Sequence, residues 1–211
     1  MLRIHEIFYS LQGEASRVGL PTVFVRLTGC PLRCSYCDTA YAFQGGQNMS
    51  LPQILEQVAS YGAHHVTVTG GEPLAQKECQ ALLNTLCNMG YDVSLETGGS
   101  LDISAVDPRV SVILDVKTPG SGEVSKNLWA NLDHLKPKDE VKFVLSDRTD
   151  YVWAKQMLAE RHITDKCPVL FSPTYGQFKM RDLAEWILAD KLQVRFQLQL
   201  HKILWGEEPG R

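Results

Sequence analysis

The chain has 211 residues, of which 44% are hydrophobic and 21% charged, so it can bury one sizeable core. Its 21 Lys and Arg residues are balanced by 24 Asp and Glu residues, so we expect no nucleic-acid partner. No stretch has the apolar length of a membrane span or signal peptide. We therefore expect a cytoplasmic protein without membrane association, formed by a single domain over residues 1–211.

Short β-branched segments alternate along the chain with longer segments of helical spacing. The predicted strands are residues 22–28, 65–69, 92–97, 110–116, 140–145, 168–171 and 194–200. The predicted helices are residues 51–58, 76–89, 128–135, 148–162 and 181–189, with Ser50 and Asp147 as N-caps. This alternation is typical of parallel α/β folds. Because a complete barrel of eight units needs about 250 residues, we predict a shortened, partly open parallel (β/α) barrel.

Three cysteines, Cys30, Cys34 and Cys37, lie within eight residues after the first core strand. A zinc site normally has four protein ligands, and disulfides are rare in the cytosol. Three thiolates suit a [4Fe–4S] cluster that keeps one iron open for a substrate or cofactor. A zinc site completed by a remote ligand is the alternative. The other cysteines form no second pair and are interpreted as small buried residues: Cys79, Cys87 and Cys167.

The spacing Cys-x₃-Cys-x₂-Cys, with Tyr36 before the last cysteine, resembles the signature of radical S-adenosylmethionine enzymes. The resemblance implies a barrel of that type, in which S-adenosylmethionine chelates the open iron and is cleaved to a 5′-deoxyadenosyl radical. Gly70-Gly71-Glu72-Pro73 is similar to a second segment of these enzymes, which receives the methionine amino group. Glycines permit close approach of the backbone to a ligand, and a carboxylate accepts an ammonium.

Further segments resemble the 7-carboxy-7-deazaguanine synthase family. They are residues 7–14, Arg26, residues 37–39, Thr69, residues 96–100, residues 115–117 and residues 199–202. The resemblance implies ring contraction of 6-carboxy-5,6,7,8-tetrahydropterin to 7-carboxy-7-deazaguanine, with loss of ammonia, on the route to queuosine and other 7-deazapurines. It also implies that S-adenosylmethionine is regenerated and that Mg²⁺ assists the rearrangement.

Site roles follow from the same resemblance, residue by residue. The cluster ligands are Cys30, Cys34 and Cys37, and the Mg²⁺ ligand is Thr39. The substrate contacts are Leu11, Gln12, Gly13, Glu14, Arg26, Thr69 and Glu96. The S-adenosylmethionine contacts are Tyr36, Cys37, Asp38, Gly70, Gly71, Glu72, Asp115, Val116, Lys117, Ser172, Pro173, Thr174 and Tyr175. Arg26 is expected to pair with the pterin carboxylate, since a guanidinium fits a carboxylate through two hydrogen bonds.

The resemblance further implies a flavodoxin or ferredoxin as electron donor and a homodimer. His64, His65 and His201 are left out of the predicted catalytic set, and no substrate role is assigned to Arg211. An alternative enzyme is one that makes a glycyl radical on a partner protein; it shares the cysteine and glycine motifs but does not need residues 11–14 or Arg26. A non-catalytic iron–sulfur or zinc protein is the alternative from another class.

Overall fold

Nine strands form one open sheet in the computed structural model, which describes residues 1–208 and 210. The order across the sheet is β3-β1-β2-β4-β5-β6-β7-β8-β9. The strands are β1 (Leu2–Leu11), β2 (Pro21–Leu27), β3 (Gln47–Met49), β4 (His65–Gly70), β5 (Asp92–Thr97), β6 (Ser111–Asp115), β7 (Glu140–Leu145), β8 (Val169–Pro173) and β9 (Arg195–Phe196). Pro209 and Arg211 lie outside the described residues, so the expectation for Arg211 has no structural counterpart.

Seven of these strands, from β2 through β4 to β9, pair in parallel. The predicted α/β class, with a partly open parallel barrel, is therefore confirmed. The long strand β1 was not predicted; it pairs antiparallel with both β2 and β3. Because β1 runs against β2, its end lies beside the beginning of β2, at the edge opposite to the cysteines. Residues 12–20, here called the floor loop, close that edge.

Within the described part of the chain, five α-helices accompany the sheet: α1 (Leu51–Ser60), α2 (Cys79–Asn88), α3 (Arg148–Arg161), α4 (Met180–Ala189) and α5 (Leu200–Trp205). Ser50 and Gln53 form the capping box of α1, and the Asp147 side chain accepts a hydrogen bond from Asp150 N at the start of α3. The predicted helix over residues 76–89 begins only at Cys79, and the predicted helix near residues 128–135 is a 3₁₀ segment, Trp129–Asp133.

The predicted last strand, residues 194–200, is wrong beyond Phe196. Gln197 N still donates to Phe171 O of β8 at 3.0 Å, but the Gln197 side chain is bonded to both backbone groups of Ala15 in the floor loop. Gln199 Nε2 donates to Glu14 Oε1 at 2.7 Å. Leu200 N donates to Gly13 O at 2.9 Å, and helix α5 begins there. Polar residues do alternate in this segment, but their side chains bind the floor loop rather than face solvent beside a neighbouring strand.

The core lies between the sheet and its helices. The inner strands are buried over most of their length, as expected for parallel strands covered on both faces. Val66 and Val68 of β4 share this core with Leu82 and Leu86 of α2. The packing fixes the strand ends, and the carboxyl ends of β2, β4, β5 and β6 therefore meet along one edge. No helix among residues 1–208 and 210 is long and apolar enough to cross a membrane.

The first prediction concerns Phe143, which is fully buried in β7. Its ring contacts Phe171 at 5.5 Å and Trp153 at 6.3 Å between centroids. We expect Phe143→Ala to lower the free energy of unfolding by about 3–5 kcal/mol, because it removes this packing and leaves a cavity. Urea denaturation followed by far-ultraviolet circular dichroism measures the change. Leu188→Ala, at a position that is 75% exposed on α4, is the control and should change it by less than about 0.5 kcal/mol.

Candidate active site

A cavity of about 440 Å³ extends from the floor loop to the carboxyl edge of the sheet. Its volume lies in the range of small-molecule sites. Most of the predicted site residues line it: Leu11, Gln12, Gly13, Glu14, Arg26, Cys30, Cys34, Tyr36, Cys37, Asp38, Thr39, Thr69, Gly70, Gly71, Glu96, Asp115, Lys117, Thr174 and Tyr175. The fold thus brings segments that are far apart in sequence to one wall.

The cysteine loop, residues 28–39, is held by backbone contacts to the turn after β4. Gly71 N donates to Leu27 O at 3.2 Å, and Glu72 N donates to Gly29 O at 2.8 Å. A Cβ atom on Gly71 would collide with Gly29 O and with Cys30 Cβ. Glycine is therefore required at position 71, because a side chain there would collide with the cysteine loop. Arg33 supports the loop from outside, donating to Cys30 O and Leu32 O at 2.7 Å each.

The three thiols of the loop share this wall, and burial raises their pKa values. Within the part of the chain that the structure describes, no three His, Cys, Asp or Glu side chains are arranged to hold a single metal ion. A structural zinc site normally takes four protein ligands, whereas three thiols line this wall among the described residues. Three thiolates are the donor set of a [4Fe–4S] cluster that keeps one iron open.

Four predicted cofactor contacts do not line the cavity. Glu72 is fully buried, and its carboxylate accepts hydrogen bonds from Thr97 Oγ1, Gly98 N and Leu74 N. It therefore joins two strand ends inside the protein. The side chains of the other three are also buried away from the cavity: Val116, Ser172 and Pro173.

Arg26 is fixed on β2 by a carboxylate and two aromatic rings. Its Nε donates to Glu6 Oε1 at 2.7 Å, and the Tyr41 hydroxyl donates to the same oxygen at 2.9 Å. The guanidinium carbon lies 5.7 Å from the centroid of the Phe8 ring and 5.9 Å from that of Tyr41. Among the described residues, no side chain or backbone group is bonded to Nη1 or Nη2. These atoms are therefore available to an anion in the cavity.

Charged residues fill the interior end of the cavity. Lys142 Nζ lies 2.6 Å from Glu14 Oε2 and 3.3 Å from Asp115 Oδ2, and Lys117 Nζ lies 3.1 Å from Asp115 Oδ1. Glu96 accepts hydrogen bonds from Thr69 Oγ1 at 2.9 Å and from Gln12 Nε2 at 3.3 Å.

The two glutamates have opposite pKa shifts. Burial opposes ionisation of both, but Lys142 and His201 lower the pKa of Glu14 below its usual value. Burial and the neighbouring Glu14 charge raise the pKa of Glu96 above its usual value. The environment therefore favours an ionised Glu14 and a Glu96 that retains its proton to higher pH.

Near the cavity mouth, the Thr39 hydroxyl donates to Asp38 Oδ1 at 2.8 Å, and Lys202 Nζ lies 3.5 Å from Asp38 Oδ2. Neutral and carboxylate oxygens next to each other are the ligand type that Mg²⁺ prefers.

Several lining residues were missed from the sequence: Lys142, Gln199, His201 and Lys202. A lysine inside the apolar segment of β7 was a usable signal, because lysine is rarely buried without a partner. Gln199 lies in the segment interpreted as a strand, and His201 and Lys202 follow it directly. His201 contacts Gly13 closely enough to exclude a side chain there, and burial lowers its pKa. By contrast, His65 lies at the start of β4, where Nδ1 is 2.9 Å from Asp92 Oδ2, away from the cavity.

Comparison with known proteins agrees with this geometry. Residues 24–115 match the Radical SAM superfamily. A 7-carboxy-7-deazaguanine synthase of Chlorobaculum tepidum is 47% identical over 98% of this chain and 96% of the relative. The chain belongs to the 7-carboxy-7-deazaguanine synthase family. It is a radical S-adenosylmethionine enzyme, and its cysteine loop lies inside the matched segment.

Other members and neighbours are consistent with this family. A 7-carboxy-7-deazaguanine synthase of Koribacter versatilis is 41% identical over 98% of both chains. The crystal structure of QueE from Escherichia coli has the same fold, with a TM-score of 0.77, 24% identity and coverage of 95% of this chain and 94% of that one. SuiB of Streptococcus suis shares the fold more distantly, with a TM-score of 0.58, 14% identity and coverage of 81% of this chain and 48% of that one.

The second prediction uses the two glutamates as a matched pair. Folding raises the pKa of Glu96, so the contribution of this residue to stability is lost as the pH rises through the folded-state pKa. Because glutamine does not ionise, Glu96→Gln should raise Tm at pH 7.5 by about 2–4 °C. Folding lowers the pKa of Glu14, whose contribution is present above the unfolded pKa and is lost on acidification; Glu14→Gln should lower Tm at pH 7.5.

Differential scanning fluorimetry of the metal-free chain between pH 4 and pH 8 measures both variants. Equal changes of the same sign in the two proteins contradict the assigned shifts.

Proposed function

We propose that this chain converts 6-carboxy-5,6,7,8-tetrahydropterin to 7-carboxy-7-deazaguanine by ring contraction with loss of ammonia, in queuosine and 7-deazapurine biosynthesis. Family membership supports the reaction, making the chain a carbon–nitrogen lyase. The single structural observation that supports this reaction is that three thiols and the unbonded Nη atoms of Arg26 line the same cavity.

Cys30, Cys34 and Cys37 hold the [4Fe–4S] cluster in this proposal. Gly71, Tyr36, Asp38, Asp115 and Lys117 surround S-adenosylmethionine. When bound, the cluster and S-adenosylmethionine supply the one-electron chemistry that starts hydrogen abstraction from the substrate. The close contact at Gly71 and the contacts of Arg33 orient the loop. Thr174 and Tyr175, beyond β8, complete this side of the cavity.

Substrate binding uses the opposite side of the cavity. The free Nη atoms of Arg26 fit the pterin carboxylate, because Glu6 already occupies Nε and fixes the plane of the guanidinium. Glu14 and Glu96 accept hydrogen bonds from the amino-substituted edge of the pterin, and Gln12 and Thr69 orient Glu96. Leu11 and Gly13 supply the adjacent floor of the cavity. A carboxylate and a planar heterocycle are thus recognised at separate points.

Thr39 is proposed as the protein ligand of Mg²⁺, through its hydroxyl group. Asp38, which accepts a hydrogen bond from the Thr39 hydroxyl group, provides negative charge beside that position. A cation there would offset the substrate's charge during the rearrangement, and it would retain water ligands, as Mg²⁺ usually does.

The lining of the cavity disfavours the two alternatives. An enzyme that makes a glycyl radical on a polypeptide does not need Arg26 between two aromatic rings or Glu14 of the floor loop. A non-catalytic metal protein does not need a cavity of about 440 Å³ beside its thiols.

We also propose the domain organisation, oligomeric state, electron donor and cellular location of the protein. The chain acts as one domain over residues 1–211 and as a homodimer, and a flavodoxin or ferredoxin reduces the cluster. It works in the cytoplasm, where three free thiols remain reduced and available to iron.

The third prediction tests the reaction itself. The anaerobically reconstituted protein, given the carboxytetrahydropterin, Mg²⁺, S-adenosylmethionine and a reductant, should release 7-carboxy-7-deazaguanine, detected by mass spectrometry. A Cys34→Ser variant, which removes one cluster ligand, should form none. Formation of 5′-deoxyadenosine without the deazapurine acid contradicts the proposed substrate.

The fourth prediction isolates Arg26. Arg26→Ala should raise KM for the pterin by about 10- to 200-fold, since a charged hydrogen-bonded pair contributes roughly 1.5–3 kcal/mol. Iron content and the visible absorption of the cluster should not change. Arg181→Ala, which removes an exposed arginine on α4, is the matched control and should leave KM unaltered. Loss of the cluster in Arg26→Ala contradicts a role in substrate binding and makes the residue structural.

A further inference from the structure

Lys142 is a charged residue among the apolar residues 141–145 of β7, and the proposed roles above do not use it. It lies in the middle of β7, between Val141 and Phe143, and only 8% of it is exposed. Its side chain lines the cavity. An ammonium at such a position is retained only when partners offset its desolvation.

The partners of Lys142 come from two different parts of the fold. Glu14 Oε2, at 2.6 Å, belongs to the floor loop, which carries three of the seven proposed pterin contacts. Asp115 Oδ2, at 3.3 Å, stands at the end of β6, in the segment proposed to contact S-adenosylmethionine. One ammonium therefore joins the two halves of the site.

Each carboxylate also has a second partner, so the three groups form a chain. Gln199 Nε2 donates to Glu14 Oε1 at 2.7 Å, and Lys117 Nζ lies 3.1 Å from Asp115 Oδ1. Glu14 and Asp115 are therefore connected through the Lys142 ammonium. An ammonium has three N–H donors, and these two carboxylates account for two of them.

The acidic groups around Lys142 make its ammonium difficult to replace by an uncharged group. Glu14, Glu96 and Asp115 are three acidic groups around the ammonium, and the Glu14, Asp115 and Glu96 charges all raise the pKa of Lys142. Removing the ammonium leaves Lys117 as the nearest cation of Asp115 and leaves the carboxylate of Glu14 without an ion-pair partner among the described residues.

We propose that Lys142 is a positioning residue that couples binding of the pterin to binding of S-adenosylmethionine, by holding Glu14 and Asp115 on one ammonium. The inference rests on the proposed function, because it takes the pterin and S-adenosylmethionine as the two ligands. Binding coupling is reciprocal, so each ligand tightens the binding of the other by the same factor.

The test measures binding without turnover. The reconstituted holoprotein, kept anaerobic and without reductant, is titrated with S-adenosylmethionine by equilibrium dialysis, with and without saturating carboxytetrahydropterin and Mg²⁺. In the unmodified protein, the pterin should lower the Kd of S-adenosylmethionine by about fivefold or more, the lower end of the range for coupled sites. In Lys142→Met, whose side chain keeps similar length without charge, the ratio should fall to about one.

Two variants keep the test decisive. Lys142→Gln has the same expected outcome as Lys142→Met and replaces it if the methionine variant does not fold. Lys155→Met removes an exposed lysine of α3 that pairs with Asp190, and it should preserve the full ratio. A ratio that remains unchanged when Lys142 is replaced overturns the proposal, as does the absence of coupling in the unmodified protein.

The outcomes distinguish failure of the role of Lys142 from failure of the proposed function. If the unmodified protein binds the pterin and forms the deazapurine acid but Lys142→Met retains coupling, only the role of Lys142 is refuted. If the unmodified protein neither binds the pterin nor forms the product, the proposed function fails, and the inference fails with it.

Discussion

Close backbone contact between the cysteine loop and the turn after β4 is the constraint on which this site depends. Gly71 has no Cβ, and only for that reason can the turn approach Gly29 and Cys30 closely. The hydrogen bonds at this contact run from backbone to backbone, so they fix the loop independently of its side chains. The thiols consequently face the cavity, and the fully buried Glu72 carboxylate ties the same turn to the end of β5.

The second requirement of the site is that its buried cations have acidic partners. Lys142 and Lys117 face acidic groups from the floor loop and from two strand ends, and Arg26 is held by Glu6. Enclosed ion pairs add little net stability, since desolvation offsets their attraction. The ion pairs serve to orient the side chains. Lys142 and Glu14 each have two partners, and the Nη atoms of Arg26 remain for a ligand. Preorganisation of this kind reduces the cost of binding.

Much of the fold was predictable because local signals agreed with the tertiary arrangement. The β-branched segments of β4, β5 and β7 and the N-caps Ser50 and Asp147 lie where the pattern placed them. The predictions failed where a polar pattern had a tertiary cause: Gln197 and Gln199 alternate like strand residues, yet they bind the floor loop. Strand β1 was missed, although its partner β2 was recognised, because β1 pairs antiparallel with β2 and β3 and lies outside the alternation of parallel strands and helices.

The sequence by itself determined the chemistry available to this protein, because the spacing of three cysteines and the following Gly-Gly-Glu-Pro segment are local properties of the chain. It also determined that parallel strands would collect their loops at one edge. Only the tertiary structure decided which side chains face the cavity: it turned Glu72 and Val116 into internal residues and brought in Lys142, His201 and Lys202. The physical reason is that a side chain's role depends on partners distant in sequence, and their distances and charges exist only after the sheet has formed.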